Sequence, residues 1–190
     1  MKRTIIFLAV MLGLAAAAAA QPKAAGVRIG TTGLEAVYLH NLSKDAFIEG
    51  NIGFDFGVDS GAGFKITGLY NVVCARPAWT NSGSWAIYAG AGVSLGNVYD
   101  MVSYKVLDEK ISYPDNGFMV ALTGQIGLEY NFDFPLQLAV DMRPYLGMHI
   151  NDGKFRIPET NMTVDYESKA GFYGNGLLGF IPTLSVRYRF

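Results

Sequence analysis

The sequence predicts an all-β fold: an antiparallel, eight-stranded, up-and-down β-barrel. Three observations predict it. Apolar and polar residues alternate with period two over several long segments. The chain is rich in glycine and aromatic residues, yet only 16% of its residues are charged. No apolar run after the first twenty residues is long enough for a spanning helix. Lipid offers no hydrogen-bond partners, so every backbone N–H and C=O in a membrane must be paired within the protein. Such a chain is therefore expected to close its strands into a transmembrane barrel.

The beginning of the chain has the pattern of an export signal. Lys2 and Arg3 form a basic start, followed by an apolar stretch and a run of alanines that ends at Ala20. We therefore predict cleavage after Ala20, which divides the chain into a signal peptide, 1–20, and a barrel domain, 21–190. A retained anchor helix is the alternative, but it reaches the roughly 20 residues of a span only by counting the alanines.

Charge and cysteine content exclude several classes of protein. Without Lys2 and Arg3, the 15 basic residues fall to 13 against 16 acidic ones, a formal charge of −3. A nucleic-acid partner is not expected, because it would require a basic stripe. Cys74 is the one cysteine of the chain and has no neighbouring residues at metal-ligand spacing. We expect neither a metal nor a cofactor.

The clearest strand is predicted at residues 118–132. The even-numbered positions from Phe118 to Phe132 are apolar or glycine, and the odd-numbered ones include Gln125 and Glu129. Such a segment is longer than the roughly 9–11 residues that cross a bilayer at a tilt. Strands of soluble proteins are usually about 5–6 residues long. The length therefore favours a membrane-spanning strand.

The remaining strands follow the same alternation less strictly. They are predicted at 23–31, 34–42, 46–56, 64–75, 85–96, 136–143 and 184–190. The strand at 23–31 is required by topology. Residues 34–42 and the last strand run in the same direction, so an antiparallel strand must lie between them to close the barrel. Single-chain bacterial barrels have even strand numbers, which agrees with eight. Gly90, Gly92 and Gly96 share one face of their strand, where they could leave room for bulky neighbours inside the barrel.

The connections differ in length at the two ends of the barrel. Short ones are predicted at 42–45, 77–84 and 133–135, and the opposite end carries 58–63, 97–117 and 151–171. The last two are long and polar. Outer-membrane barrels have short periplasmic turns and long external loops, so 97–117 and 151–171 are expected outside the cell.

Alternation alone does not say which face points outward, and a lipocalin-like soluble barrel would show the same period. Aromatic residues near the strand ends favour the membrane version, because outer-membrane barrels carry aromatic girdles at both interfaces. The turn-end aromatics are Trp79, Trp85, Tyr130, Phe132, Phe134 and Phe190, and those at the loop end are Phe54, Phe56, Phe64 and Phe118.

The closing segment resembles the C-terminal signature of outer-membrane β-barrel proteins. Leu184, Val186, Tyr188 and Phe190 match its alternating pattern up to the terminal phenylalanine. With the export signal and the strands, the chain looks like the small eight-stranded barrels of the OmpA/OmpX type. This resemblance implies a monomer in the bacterial outer membrane that contacts outer-membrane lipid and the assembly machinery that reads the signature. Pro182 departs from the pattern, since it removes a ladder donor near the start of the final strand.

Charged residues are predicted on the lumen face of the strands. They are Glu49, Asp55, Lys65, Glu129, Asp141, Arg143, Arg187 and Arg189. Eight strands leave an interior just wide enough for side chains to fill it. Because an unpaired buried charge is costly, we expect these groups to form an ion-paired core. A narrow pore lined by the same groups is the alternative.

No catalytic residue is assigned. Residues 174–179 match G-x-G-x-x-G, but a terminal strand follows where a dinucleotide site needs a helix. Some outer-membrane barrels modify lipid A with histidine, serine and carboxylate groups, and His149 is the first candidate here, before His40. The leading hypothesis is a non-catalytic barrel that acts structurally or through its external loops, whose partner is unidentified. A lipid A-modifying enzyme and a small-solute pore remain open.

Overall fold

The fold is seen in a computed structural model that describes residues 23–56, 61–106, 109–151, 154–156, 163–165 and 170–190. The predicted signal peptide and its cleavage point lie outside these residues. No helix in the described ranges is both long and apolar enough to span a membrane.

The described chain is almost entirely β-structure. The strands are β1 Lys23–Gly30, β2 Gly33–Asn41, β3 Ala46–Phe56, β4 Ala62–Ala75, β5 Ser84–Val106, β6 Glu109–Asn131, β7 Leu136–Met142, β8 Tyr145–Asn151, β9 Lys154–Arg156, β10 Thr163–Asp165, β11 Ala170–Phe172 and β12 Thr183–Arg189. Strands β1 to β6 pair antiparallel in chain order, and β1 closes the sheet on β12. Strands β9 and β10 form a separate two-stranded hairpin.

The main sheet has ten strands, but the barrel has eight walls, because two of the walls are each divided into two strands. Strands β7 and β8 both pair with β6 and are two halves of one wall. Strands β11 and β12 pair with β8 and β7 respectively and form the last wall. The predicted closed, antiparallel, eight-stranded barrel is confirmed.

Proline causes the first interruption. Pro144 separates β7 from β8 and cannot donate to the ladder. Its carbonyl oxygen still accepts the Gly124 N–H at 3.2 Å. Arg143, Tyr145 and His149 all point into the lumen, so the alternation continues through the break.

The second interruption is a 3₁₀ segment, Gly174–Phe180, inserted before Pro182. Its start is fixed by Asp100, whose carboxylate accepts the N–H groups of Gly174 and Asn175 at 2.6 and 3.1 Å. The regular final strand begins after Pro182, at Thr183. Residues 174–179 therefore form a bend in a barrel wall.

The two faces of the sheet have opposite chemistry. Strand β3 shows this: Glu49 and Asp55 are buried in the lumen, and Ile52 and Phe54 are about half exposed on the outside. The same inversion holds around the described barrel, where exposed side chains are largely aliphatic or aromatic and buried ones are often polar or charged. A lipocalin-like barrel requires an apolar interior and a polar exterior, so that alternative is wrong for this chain.

The predicted connection at 97–117 is mostly strand. The pairing of β5 with β6 runs without interruption from Ser84 and Asn131 to Val106 and Glu109. The neighbouring strands end earlier, since β4 pairs with β5 only as far as Asn97. Val98 and Asp100 are still buried in the barrel. Residues 101–106 extend past the β4 edge as one side of a two-stranded arm about 20 Å long, at about 3.3 Å per residue. The predicted loop at 151–171 lies largely outside the described residues.

Candidate functional site

The lumen contains a network of nine charged side chains. They are Arg28, Glu35, Glu49, Asp55, Lys65, Glu129, Asp141, Arg143 and Arg187. Seven of the eight walls contribute to it, and β5 does not. Successive side chains of a strand point to opposite faces of the sheet, so these residues point inward where their apolar neighbours point outward.

Arg143 lies at the centre of the network and is fully buried. Its guanidinium donates to Glu35 at 3.2 Å and forms an ion pair with Glu49. A longer contact of 4.0 Å joins its Nε to Asp141. One cation therefore connects carboxylates from β2, β3 and β7.

Two further cations complete the β1–β4 side of the network. Arg28 contacts Glu35 at 3.3 Å and Asp141 at 3.0 Å. Lys65 contacts Asp55 at 2.9 Å and Glu35 at 3.4 Å, and its ammonium also donates to the carbonyl oxygen of Thr32. Glu35 thus forms ion pairs with three cations, which offsets the cost of burying its charge.

The network continues toward the turn-side end of the barrel, where the β2–β3, β4–β5 and β6–β7 connections lie. Arg187 contacts Glu49 at 3.4 Å and Glu129 at 3.9 Å. Glu129 also accepts from the side-chain amides of Asn131 and Gln137, both at 3.1 Å. Because all nine charged groups are almost fully buried, protein side chains occupy the lumen at this level.

The structure places the predicted charged residues as follows. Glu49, Asp55, Lys65, Glu129, Asp141, Arg143 and Arg187 lie in the network. Arg189 is outside it: its guanidinium donates to the carbonyl oxygens of Phe132 and Phe134 at the turn side. Arg28 and Glu35 belong to the network but are absent from the predicted set. The outward positions of Val27 and Ile29 would have indicated that Arg28 points inward.

Apolar clusters lie on both sides of the charges. The turn-side cluster contains Ala24, Val37, Leu39, Phe47 and Tyr88, and the loop-side cluster contains Val98, Met119, Ala121, Tyr145 and Tyr173. The Phe47 and Tyr88 rings meet edge to face at 5.4 Å. Tyr88 lies over Gly127, where a Cβ atom would collide with its ring. A glycine on β6 therefore makes room for a bulky lumen residue.

The turn-side end of the lumen opens into a cavity of about 420 Å³. We call it the mouth cavity. It is lined by Lys23, Ala24, Leu39, Asn41, Ser43, Lys44, Ala46, Phe47, Val73, Arg76, Ser84, Glu129, Asn131, Gln137 and Arg189. Ala24, Leu39 and Phe47 of the turn-side apolar cluster supply its floor, and basic residues of the turns and strand ends surround its opening.

The histidines do not form a catalytic arrangement with the residues that the structure describes. His149 is buried, and its Nε2 lies 3.0 Å from the carbonyl oxygen of Val98. The neighbouring Asp152 is outside the described residues. His40 is half-buried at the turn-side end of β2. No group of three or more histidine, cysteine or acidic residues in the described ranges could hold a metal ion.

Aromatic side chains form a continuous row at the turn side. Ring centroids are separated by 5.5 Å between Trp79 and Trp85, and by 4.6 Å between Trp85 and Tyr130. The row continues to Phe132 at 4.7 Å and to Phe134 at 4.9 Å. Trp79 and Phe134 are more than half exposed. The row crosses the outer surface at the end of β5 and β6.

Together these features define the protein as a closed eight-stranded antiparallel barrel with an ion-paired interior and an apolar outer belt. No protein-family model matches the chain, and no curated protein matches it either. Among solved structures, the crystal structure of the N-terminal β-barrel domain of Pseudomonas aeruginosa OprF is similar. The identity is 12%, the TM-score is 0.46, and the match covers 89% of this chain and 96% of that one.

Proposed function

We propose that the protein is an integral, non-catalytic barrel of the bacterial outer membrane. The observation that carries this proposal is the apolar belt around a charged interior. Leu122 is 69% exposed and Ile29 is 57% exposed, whereas Arg28 and Arg143 are fully buried. An exposed apolar patch larger than a few hundred Å² is rare on soluble monomers, and a belt around a closed barrel fits hydrocarbon.

The working part of the protein, on this proposal, is the arm formed by the ends of β5 and β6. A rigid barrel can present such an arm above the membrane for structural or surface interaction. The arm is the end of the β5–β6 hairpin, which has the longest continuous pairing in the described chain. Its partner is to be sought among surface molecules, and the packed lumen supports a role that does not involve transport.

Membrane fractionation with a heat-modifiability gel tests the location. The expected result is recovery with the outer membrane and faster migration before boiling than after it, because a closed barrel resists detergent. Recovery in the soluble periplasmic fraction would refute the proposal. Deleting residues 102–113 with a short turn in their place retains the buried Val98 and Asp100. This deletion should leave both properties unchanged and remove surface interactions. Deleting the seven residues 77–83 of a turn-side connection controls for the effect of shortening a connection.

A further inference from the structure

Buried apolar side chains line part of the mouth cavity. Ala24, Leu39 and Phe47 are each no more than 5% exposed and form its floor. Behind Phe47 lies Tyr88, which is fully buried and packs against it. The ion network reaches the cavity at Glu129, which lines it, and its other charged members are not among the lining residues. A cavity with buried apolar residues in its lining and packed side chains behind them is suited to hold a molecule.

The opening of the cavity is positively charged. Lys23, Lys44, Arg76 and Arg189 line it, and Glu129 is the one carboxylate among the lining residues. Glu129 is already engaged with Arg187 and with two side-chain amides. The excess of basic groups at the rim therefore favours an anion.

Two of the four cations hold the turns in place. Arg76 forms an exposed ion pair with Asp45 at 3.3 Å, and its guanidinium also donates to the Lys44 carbonyl oxygen. Arg189 donates to two carbonyl oxygens of the β6–β7 connection. The ammonium groups of Lys23 and Lys44 have no side-chain partner among the described residues. Within the described part of the chain, these two lysines are therefore the basic lining residues left to pair with a ligand.

We propose that the mouth cavity binds an amphiphilic anion, namely a small apolar group that carries one carboxylate. Leu39, Phe47 and Val73 would contact the apolar part, and Lys23 and Lys44 would pair with the carboxylate. The volume of about 420 Å³ lies within the usual range for ligand pockets, about 300–1,000 Å³. The carboxylate can belong to a free small acid or to the apolar C-terminal residue of a peptide. This proposal depends neither on the role of the arm nor on the cellular location of the barrel.

The test is an NMR titration of the mature chain in lipid nanodiscs with 3-phenylpropionate, compared with the neutral 3-phenylpropanol. We expect saturable shifts confined to residues around Leu39 and Val73, with the alcohol binding more weakly. The double variant Lys23→Gln/Lys44→Gln should raise the Kd by about fivefold, as expected for the loss of two exposed ion pairs. Lys105→Gln, on the arm at the opposite end of the barrel, is the matched control and should leave the Kd unchanged.

A second variant keeps the test independent of the lysines. Val73→Trp fills part of the cavity and should abolish the shifts while the barrel still migrates as a folded species before boiling. An acetylated tripeptide ending in phenylalanine, with its C-terminal amide as control, distinguishes a peptide end from a free acid. The proposal is overturned if no saturable shift is seen up to about 10 mM. Equal affinity for acid and alcohol, or an unchanged Kd in the double variant, would overturn it as well.

Discussion

Replacing Arg143 by methionine tests whether the ion network stabilises the barrel. Methionine keeps much of the volume of the side chain and removes its charge. The nine groups of the network comprise five carboxylates and four cations, a formal charge of −1, which becomes −2 in Arg143→Met. Glu49 would then retain only its 3.4 Å contact with Arg187. Breaking a buried ion pair by removing one partner costs about 3–5 kcal/mol, and we expect a loss of that size in the free energy of unfolding.

The assay is reversible urea unfolding in lipid vesicles, followed by the fluorescence of Trp79 and Trp85 and by gel migration without boiling. Arg76→Met is the matched control, because the Arg76–Asp45 pair is exposed. Exposed pairs contribute about 0–1 kcal/mol, so this variant should unfold almost like the parent. Equal losses in the two variants would refute the claim that burial makes the Arg143 contacts important.

A double variant separates the pair from its surroundings. Glu49→Gln combined with Arg143→Met removes both partners of one contact, and the buried carboxylate is no longer left without its cation. We expect the double variant to be more stable than the sum of the single losses predicts, with a coupling of about 0.5–3 kcal/mol. Strict additivity would show that Glu49 and Arg143 do not interact in the folded barrel.

Three further predictions concern packing, the outer belt and the lumen. Gly127→Val should destabilise the barrel by about 1–3 kcal/mol because its side chain collides with Tyr88. Gly124→Val, on the outer face of the same strand with open space around it, should change stability by less than about 0.5 kcal/mol; a neutral Gly127→Val in urea unfolding would contradict the packing. Leu122→Arg should cost about 2–4 kcal/mol in vesicles if Leu122 faces hydrocarbon, whereas Ser82→Arg in a turn should be nearly neutral, and an equal effect of the two would argue against a lipid-facing belt. In planar bilayers the parent protein should show no stepwise conductance, since side chains occupy the lumen; regular steps would contradict a packed interior.

Period two predicts the wall strands well where one face meets apolar surroundings and the other meets the polar lumen. Residues 118–131 keep this contrast, and they are strand in the structure. Residues 97–117 lack it, so their strands were not predicted. In the arm the strands lie beyond the β4 edge and are held by the β5–β6 backbone ladder. Such pairing requires no alternation of side chains.

Two parts of the interior escaped prediction for different reasons. Strand β1 begins with Ala24, Ala25 and Gly26, which offer no contrast between the faces, so the inward position of Arg28 is indicated only by its neighbours Val27 and Ile29. Arg189 has the alternation of a lumen residue, but it lies at the end of the barrel. There its guanidinium reaches backbone carbonyl oxygens of a turn. Alternation predicts on which face of the sheet a residue lies, but it does not predict the position of that residue along the barrel axis.

The central claim is that the outer face of the barrel meets lipid and the inner face meets packed protein. Nitroxide labels placed one at a time along residues 118–126, in a Cys74→Ser background reconstituted in vesicles, measure this directly through collision with oxygen and with a water-soluble nickel complex. We predict period two, with labels at Phe118, Val120 and Leu122 exposed to oxygen and shielded from nickel. Labels at inward positions such as Ala121 should be shielded from both. Ready access of nickel to the outward labels would show that this face meets water, and the membrane assignment would be wrong.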